Sequence, residues 1–265
     1  MRIAVCFSGQ IRTGIECAPN ILRYIGDLLP NCDFFVHTWD VETVSQNTNR
    51  NSAIAPNVPF PVDPRVFAVF HTIYQPITMT VDRYHSRATE DRMGGARIDP
   101  VTGRKLVAWL ESIYEVNLMK KQYEQKNNFT YDYVIRIRPD IIFCEDKSLQ
   151  DDLALVTDNQ MFLTGEYMTV NRQDRLEDIF WIAQSSVMDQ LAEFYSVRAD
   201  ANWEQYDFRV TPNYLHTQEH MSQWVHSLGL TYRPLNNNKL RIYWRCDLED
   251  GMDPMTTQGD PRRGV

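Results

Sequence analysis

A doubly wound α/β fold is predicted, with a mostly parallel, Rossmann-type central sheet and helices on both faces. Three observations carry that reading. Residues 3–7 and 34–36 are continuous apolar runs, the signature of strands covered on both sides. Between them Ile15, Ile21, Leu22, Ile25, Leu28 and Leu29 recur near a 3.6 period and stop at Pro30-Asn31. Strand, polar loop, helix and strand within some forty residues is how such a sheet begins.

The remaining elements follow in order. Residues 44–64 are polar and then proline-rich (Pro56, Pro59, Pro61, Pro64), an irregular loop longer than compact domains usually carry without a purpose. Residues 66–70 and 77–81 read as weak strands, and 85–103 as a second polar loop. From 105 to 126 the pattern turns helical, with Leu106, Trp109, Leu110, Ile113 and Val116 as the buried stripe. Residues 131–143 give the best strand signal in the chain, although Pro139 interrupts it. Short strands are expected at 161–163, 179–182 and 241–244, and helices at 185–197 and 215–228, the last stopped by Gly229. After Gly251 the apolar pattern ends. The expected organisation is one domain over 1–250 and a flexible tail over 251–265.

Composition narrows the function classes. The chain has 265 residues, 43% hydrophobic and 23% charged, which is globular and rules out a disordered or fibrous protein. A net charge of -8 argues against nucleic acid as a partner, because displacing its counterions needs a basic surface. Five cysteines without CxxC spacing cannot all pair, which fits a reducing compartment. No apolar run is long enough for a transmembrane segment, and the opening apolar run is too short for a signal peptide, so a cytoplasmic location is expected.

Ligands in open α/β sheets bind beyond the carboxyl ends of the strands. Three such ends carry concentrated polar chemistry. Ser8-Gly9-Gln10-Ile11-Arg12 offers a glycine for close approach, helix N–H groups beyond it and a guanidinium for an anion. It is neither a P-loop nor GxGxxG, and an ordinary strand-to-helix turn is the rival reading. His37-Thr38-Trp39-Asp40 places an aromatic beside a carboxylate, able to stack on a base and hold a ribose, or simply to be core and turn. In Arg136-Ile137-Arg138-Pro139-Asp140 the two arginines share a side of the strand by period-2 alternation. Buried, they need an anion or an internal carboxylate such as Asp132 or Asp140. Asp178, before an aromatic strand, and Glu219, in a helix, are carboxylates able to act as a general base. His216 and His220 lie at i, i+4 without the acidic residue of HExxH, so a zinc site is not expected.

Taken together, these three strand ends, with residues 178–183 and Glu219, resemble a group of glycosyltransferase-like proteins of bacteria, phages and large viruses. The resemblance runs in order over residues 2–235 and implies a GT-A-like fold. It implies transfer of a sugar from a nucleotide-sugar donor to a glycan or other hydroxyl acceptor, as in polysaccharide or glycoprotein glycan synthesis. Ser8, Gly9, Gln10, Arg12, Thr38, Trp39, Asp40, Arg136, Arg138 and Asp140 would then meet the donor, with Asp178 or Glu219 as catalytic base. The family pattern has an Asp-x-Asp that holds a divalent metal on the diphosphate. Arg138 stands where its first Asp belongs, so Asp140 is left as the metal ligand for Mn²⁺ or Mg²⁺, or Arg138 neutralises the diphosphate itself. Replacing Asp140 by Ala is expected to abolish transfer with little change in melting.

Three rivals stand beside that reading. One is a non-catalytic nucleotide- or glycan-binding module of the same fold, which the altered Asp-x-Asp favours. A second is a sulfotransferase or methyltransferase, against which the absent P-loop-like and glycine-rich signatures count. The third is a structural protein with internally paired arginines.

Overall fold

The computed structural model describes residues 1–43, 59–83, 100–143, 147–164, 179–199, 217–235 and 240–242. The strands are β1 (Ile3–Ser8), β2 (Cys32–Trp39), β3 (Val41–Thr43), β4 (Pro59–Pro61), β5 (Thr78–Asp82) and β6 (Tyr133–Ile137). They continue with β7 (Ile141–Phe143), β8 (Gln160–Thr164), β9 (Phe180–Gln184), β10 (Thr231–Leu235) and β11 (Leu240–Ile242). The helices are α1 (Gly14–Ile25), α2 (Pro64–Tyr74), α3 (Pro100–Asn127), α4 (Leu149–Leu153), α5 (Ser185–Ala192), α6 (Phe194–Ala199) and α7 (Thr217–Ser227).

Seven strands form the central sheet in the order β10-β8-β9-β6-β1-β2-β5. Its pairs are parallel except where β9 runs antiparallel to β6 and β8. The expected mostly parallel α/β sheet is therefore present. From β1 the chain steps outward through β2 to β5, then α3 carries it back so that β6 lands on the other side of β1. That reversal makes β1/β6 the switch point, where neighbouring connections leave in opposite directions and open a crevice.

Alternation along the strands builds a core on each face. Ile3, Val5 and Phe7 bury against Ile21 and Tyr24 of α1 and Phe70 and Tyr74 of α2. Ala4 and Cys6 bury against Leu110, Ile113 and Val116 of α3, in a cluster that also holds Trp181, Met221 and Trp224. Helices thus cover both faces. Full burial of each such side chain is worth about 1.5–3 kcal/mol, which is why β1 is apolar throughout.

Several local expectations are corrected. Residues 66–70 are helical: Asp63 accepts the Arg65 N–H as N-cap and Pro64 opens α2, a start signal that the β-branched run obscured. Helix α3 starts at Pro100, so the polar stretch expected over 85–103 ends earlier; 84–99 lie outside the described residues. The apolar stretch 131–143 is two strands. Pro139 breaks the ladder, and β7 pairs with β11 instead. Asn20 of α1 secures β7: its Oδ1 accepts the Phe143 N–H at 2.6 Å and its Nδ2 donates to the Phe143 carbonyl at 3.0 Å. The helix expected over 185–197 is divided into α5 and α6. Most of the 44–64 loop and the whole 251–265 tail lie outside the described residues.

Candidate functional site

The three polar strand ends singled out in sequence belong to β1, β2 and β6, which lie side by side and parallel. They therefore finish at one edge of the sheet, around the switch point.

The turn after β1 is shaped by unusual backbone angles. Gly9 has φ +114°, and a Cβ placed there would meet no atom of the described residues within 4 Å, so among them its backbone is uncovered. Arg12 has φ +47°, a left-handed angle that costs a non-glycine residue energy and is found at ligand loops. Its side chain is tied on both sides, with Nε donating to Gln10 Oε1 at 3.0 Å and Nη1 to Asp140 Oδ2 at 3.1 Å. Gly14, at the first turn of α1, has no such freedom. A Cβ there would lie 2.8 Å from Pro139 Cβ, so glycine lets the start of α1 close on the turn after β6.

That second turn carries the charge. Arg136 is 1% exposed; its Nε donates to Ser8 Oγ at 2.6 Å and its guanidinium carbon lies 5.2 Å from the centre of the Trp181 ring. Arg136 thus supports the Ser8 turn from within the sheet. Strand β6 ends at Ile137, and Arg138 leaves it to grip Asp140 with two parallel bonds, Nε to Oδ1 at 2.9 Å and Nη2 to Oδ2 at 2.7 Å. Asp140 is buried between Arg138 and Arg12. Burial pushes its carboxyl upward, but the two guanidiniums outweigh that and hold it below the usual carboxylate range.

This donor set does not fit a divalent cation as it stands. Both Asp140 oxygens already accept guanidinium N–H groups, and a cation placed there would meet two positive charges. Among the described residues no group of three His, Cys, Asp or Glu is arranged to hold a metal. The ion pairs argue against an unchanged melting curve in Asp140→Ala, because removing the buried carboxylate would leave two guanidiniums without their shared counter-charge.

At the end of β2 the residues divide by face. Trp39 is 3% exposed and packs edge-on against His37, with ring centres 5.0 Å apart, so it forms wall rather than an open stacking surface. Thr38 is buried on the other face, and its hydroxyl has no hydrogen-bond partner among the described residues. Asp40 is partly exposed, and its N–H donates to the Asp82 carbonyl at 2.9 Å.

Three participants were not foreseen. Asp82 ends β5, Glu42 is buried within charge range of Arg12, and Ser112 of α3 receives the Gly9 N–H at 2.8 Å. Each is a lone polar residue outside any motif, and only strand register and the return of α3 bring it to the site. Of the two carboxylates considered as catalytic base, Asp178 lies outside the described residues; Glu219 falls on α7, and its side chain is likewise outside them.

Among solved structures the chain is similar to mouse xyloside xylosyltransferase 1 in its apo form. The match has 9% identity and a TM-score of 0.43, over 88% of this chain and 84% of that one. No protein-family model matches the chain, and no curated protein matches its sequence. At that distance function has to be read from the site itself.

Proposed function

We propose that the protein is a GT-A-like glycosyltransferase that takes a sugar from a nucleotide-sugar donor and passes it to a hydroxyl of a glycan or similar acceptor. One observation carries the reading: the Ser8–Arg12, Thr38–Asp40 and Arg136–Asp140 segments converge at the switch point of a parallel sheet, around a glycine that no other described residue crowds. The donor's diphosphate lies against Gly9 and Gln10, where Arg12 and Arg138 neutralise the charge that grows as the glycosidic bond breaks. Arg136 holds Ser8 in place beneath. Asp40 and Asp82 accept hydrogen bonds from the ribose hydroxyls. A carboxylate, Asp178 before Glu219, takes the proton of the acceptor hydroxyl as its oxygen attacks the sugar's anomeric carbon. The nucleoside diphosphate then leaves with the electrons of the broken bond. Because Asp140 is committed to two arginines, the diphosphate is met by guanidinium groups, and no step is assigned to Mn²⁺ or Mg²⁺.

One observation favours a second reading. The same arginine-bound Asp140 suits a non-catalytic module that binds a nucleotide or glycan without turnover. The two are separated by incubating the protein with a panel of nucleotide sugars and measuring nucleoside diphosphate release. Release from one donor, lost in Arg138→Ala, is the transferase result. Saturable binding without release, with and without added glycan acceptors, is the module result. Binding of none of the nucleotide sugars overturns both.

A further inference from the structure

Behind Gly9 lies a chain of polar groups in which Ser112 and His37, both buried, have no role above. The Gly9 N–H donates to Ser112 Oγ at 2.8 Å and also points at the His37 carbonyl at 3.3 Å. Ser112 Oγ lies 3.0 Å from His37 Nδ1 and 3.3 Å from the His37 carbonyl. His37 Nε2 in turn lies 3.3 Å from Asp82 Oδ2. Ser112 and His37 are almost wholly buried, so each bond has to be accounted for within the protein.

The directions of these bonds follow from donor arithmetic. A carboxylate only accepts, so His37 Nε2 carries the proton that faces Asp82. In a neutral imidazole Nδ1 is then an acceptor. Among the described residues the donor within reach is the Ser112 hydroxyl, whose oxygen stays available for the Gly9 N–H. The chain thus runs one way, Gly9 N–H to Ser112 O–H to His37 Nδ1, and such chains strengthen each member. Burial disfavours the imidazolium more than Asp82 favours it, which agrees with a neutral ring.

We propose that Ser112 and His37 are positioning residues that set the Gly9 backbone at the ligand-facing turn, and that they do so only while His37 is neutral. Protonation of His37 makes Nδ1 a donor. The Ser112 hydroxyl must then turn to the His37 carbonyl, towards which the Gly9 N–H also points, and Ser112 Oγ receives two donors where it had one. The Gly9 bond is weakened and the turn shifts. Charged residues next to His37 or its partners are Asp82 of β5, which meets its Nε2, Asp40 at the end of β2, Glu111 beside Ser112 on α3 and Arg136 of β6, which meets Ser8. The consequence for ligand binding rests on the donor-site reading above; the coupling itself does not.

Nuclear magnetic resonance of the full-length, ¹⁵N-labelled protein tests both parts. His37 is expected as the Nε2–H tautomer at neutral pH, and the Gly9 amide shift is expected to follow its titration with the same midpoint. In Ser112→Ala the two should uncouple, and affinity for inorganic pyrophosphate, used as the probe, should fall about tenfold at pH 7, with recovery in Ser112→Thr. A neutral His37 protonated on Nδ1, or a Gly9 amide that stays still while His37 titrates, overturns the proposal. The wild-type spectra decide this even where a variant does not fold. If pyrophosphate does not bind wild-type protein, the donor-site reading fails, and the relay is still judged by the tautomer and the Gly9 shift.

Discussion

Arg12 and Asp140 are 128 residues apart in the chain, yet their side chains meet at 3.1 Å across the carboxyl ends of β1 and β6. That pair, completed by Arg138, links the two turns that flank the switch point. It makes Asp140 a pivot for two guanidiniums.

Its removal has a stability consequence. Asp140→Ala leaves two arginines without their shared carboxylate and should cost about 3–5 kcal/mol, the range for breaking a buried ion pair. Asp140→Asn keeps an acceptor oxygen and should cost less. Urea melts check the order; unchanged midpoints in both variants would show that the pair contributes nothing.

Stability should fall as the solution is acidified, in two stages. His37 has its folded pKa below the ordinary 6.5, so the unfolded chain takes up the proton first and stability declines as pH drops below 6.5. Asp140 has its folded pKa below the ordinary 3.8, so its contribution is present above 3.8 and is lost as pH falls through the lower folded value. Denaturant melts of wild type and His37→Gln between pH 6.5 and about pH 5 isolate the first stage. The variant should show the shallower pH slope, and equal slopes would contradict it.

Two glycines should answer the same substitution differently. Gly9→Ala meets no atom of the described residues within 4 Å, so its folding cost is backbone strain of roughly 1–2 kcal/mol, while its methyl enters the space assigned to the donor. Gly14→Ala drives a methyl to within 2.8 Å of Pro139 Cβ and must push the α1 and β6 turns apart. Titration with a nucleoside diphosphate, read beside melting curves, should show Gly9→Ala losing affinity with modest destabilisation. Gly14→Ala should lose both.

Lys120 offers a control away from the site. It is fully buried, and its Nζ meets Ser185 Oγ at 2.6 Å, Asp189 Oδ1 at 2.8 Å and Glu124 Oε2 at 3.0 Å. Lys120→Met removes the counter-charge of two carboxylates and should destabilise by about 3–5 kcal/mol. It lies roughly 12 Å along α3 from Ser112, so nucleotide affinity in the folded variant should be unchanged. A large change in affinity there would mean that the site extends along α3.

The central strands were legible in sequence because burial on both faces writes continuous apolar runs, and the polar ends of those runs marked the site's edge. Helix α2 was not: Val66, Phe67, Val69 and Phe70 have the composition of a strand, and the decisive signal was the Asp63-Pro64 start. Over 131–143 Pro139 marks the break in sequence, but the pairing of β7 with β11 is not legible, because apolar pattern does not tell which neighbour a segment pairs with. Sequence leaves Trp39 as either stacking face or core; it is wall, since the sheet decides which side of a strand is covered. Asp82 and Ser112 had no pattern to betray them. Their nearness to His37 comes from register and from the path of α3, both tertiary facts.

The most direct test of the account is thermal melting of the purified protein with UDP, GDP, CMP or dTDP, each with Mn²⁺, with Mg²⁺ and with EDTA. The predicted result is stabilisation by one nucleotide that persists in EDTA and disappears in Arg12→Ala and Arg138→Ala. Stabilisation that requires the metal would contradict the guanidinium-held diphosphate, and no stabilisation by any nucleotide would contradict the donor site altogether.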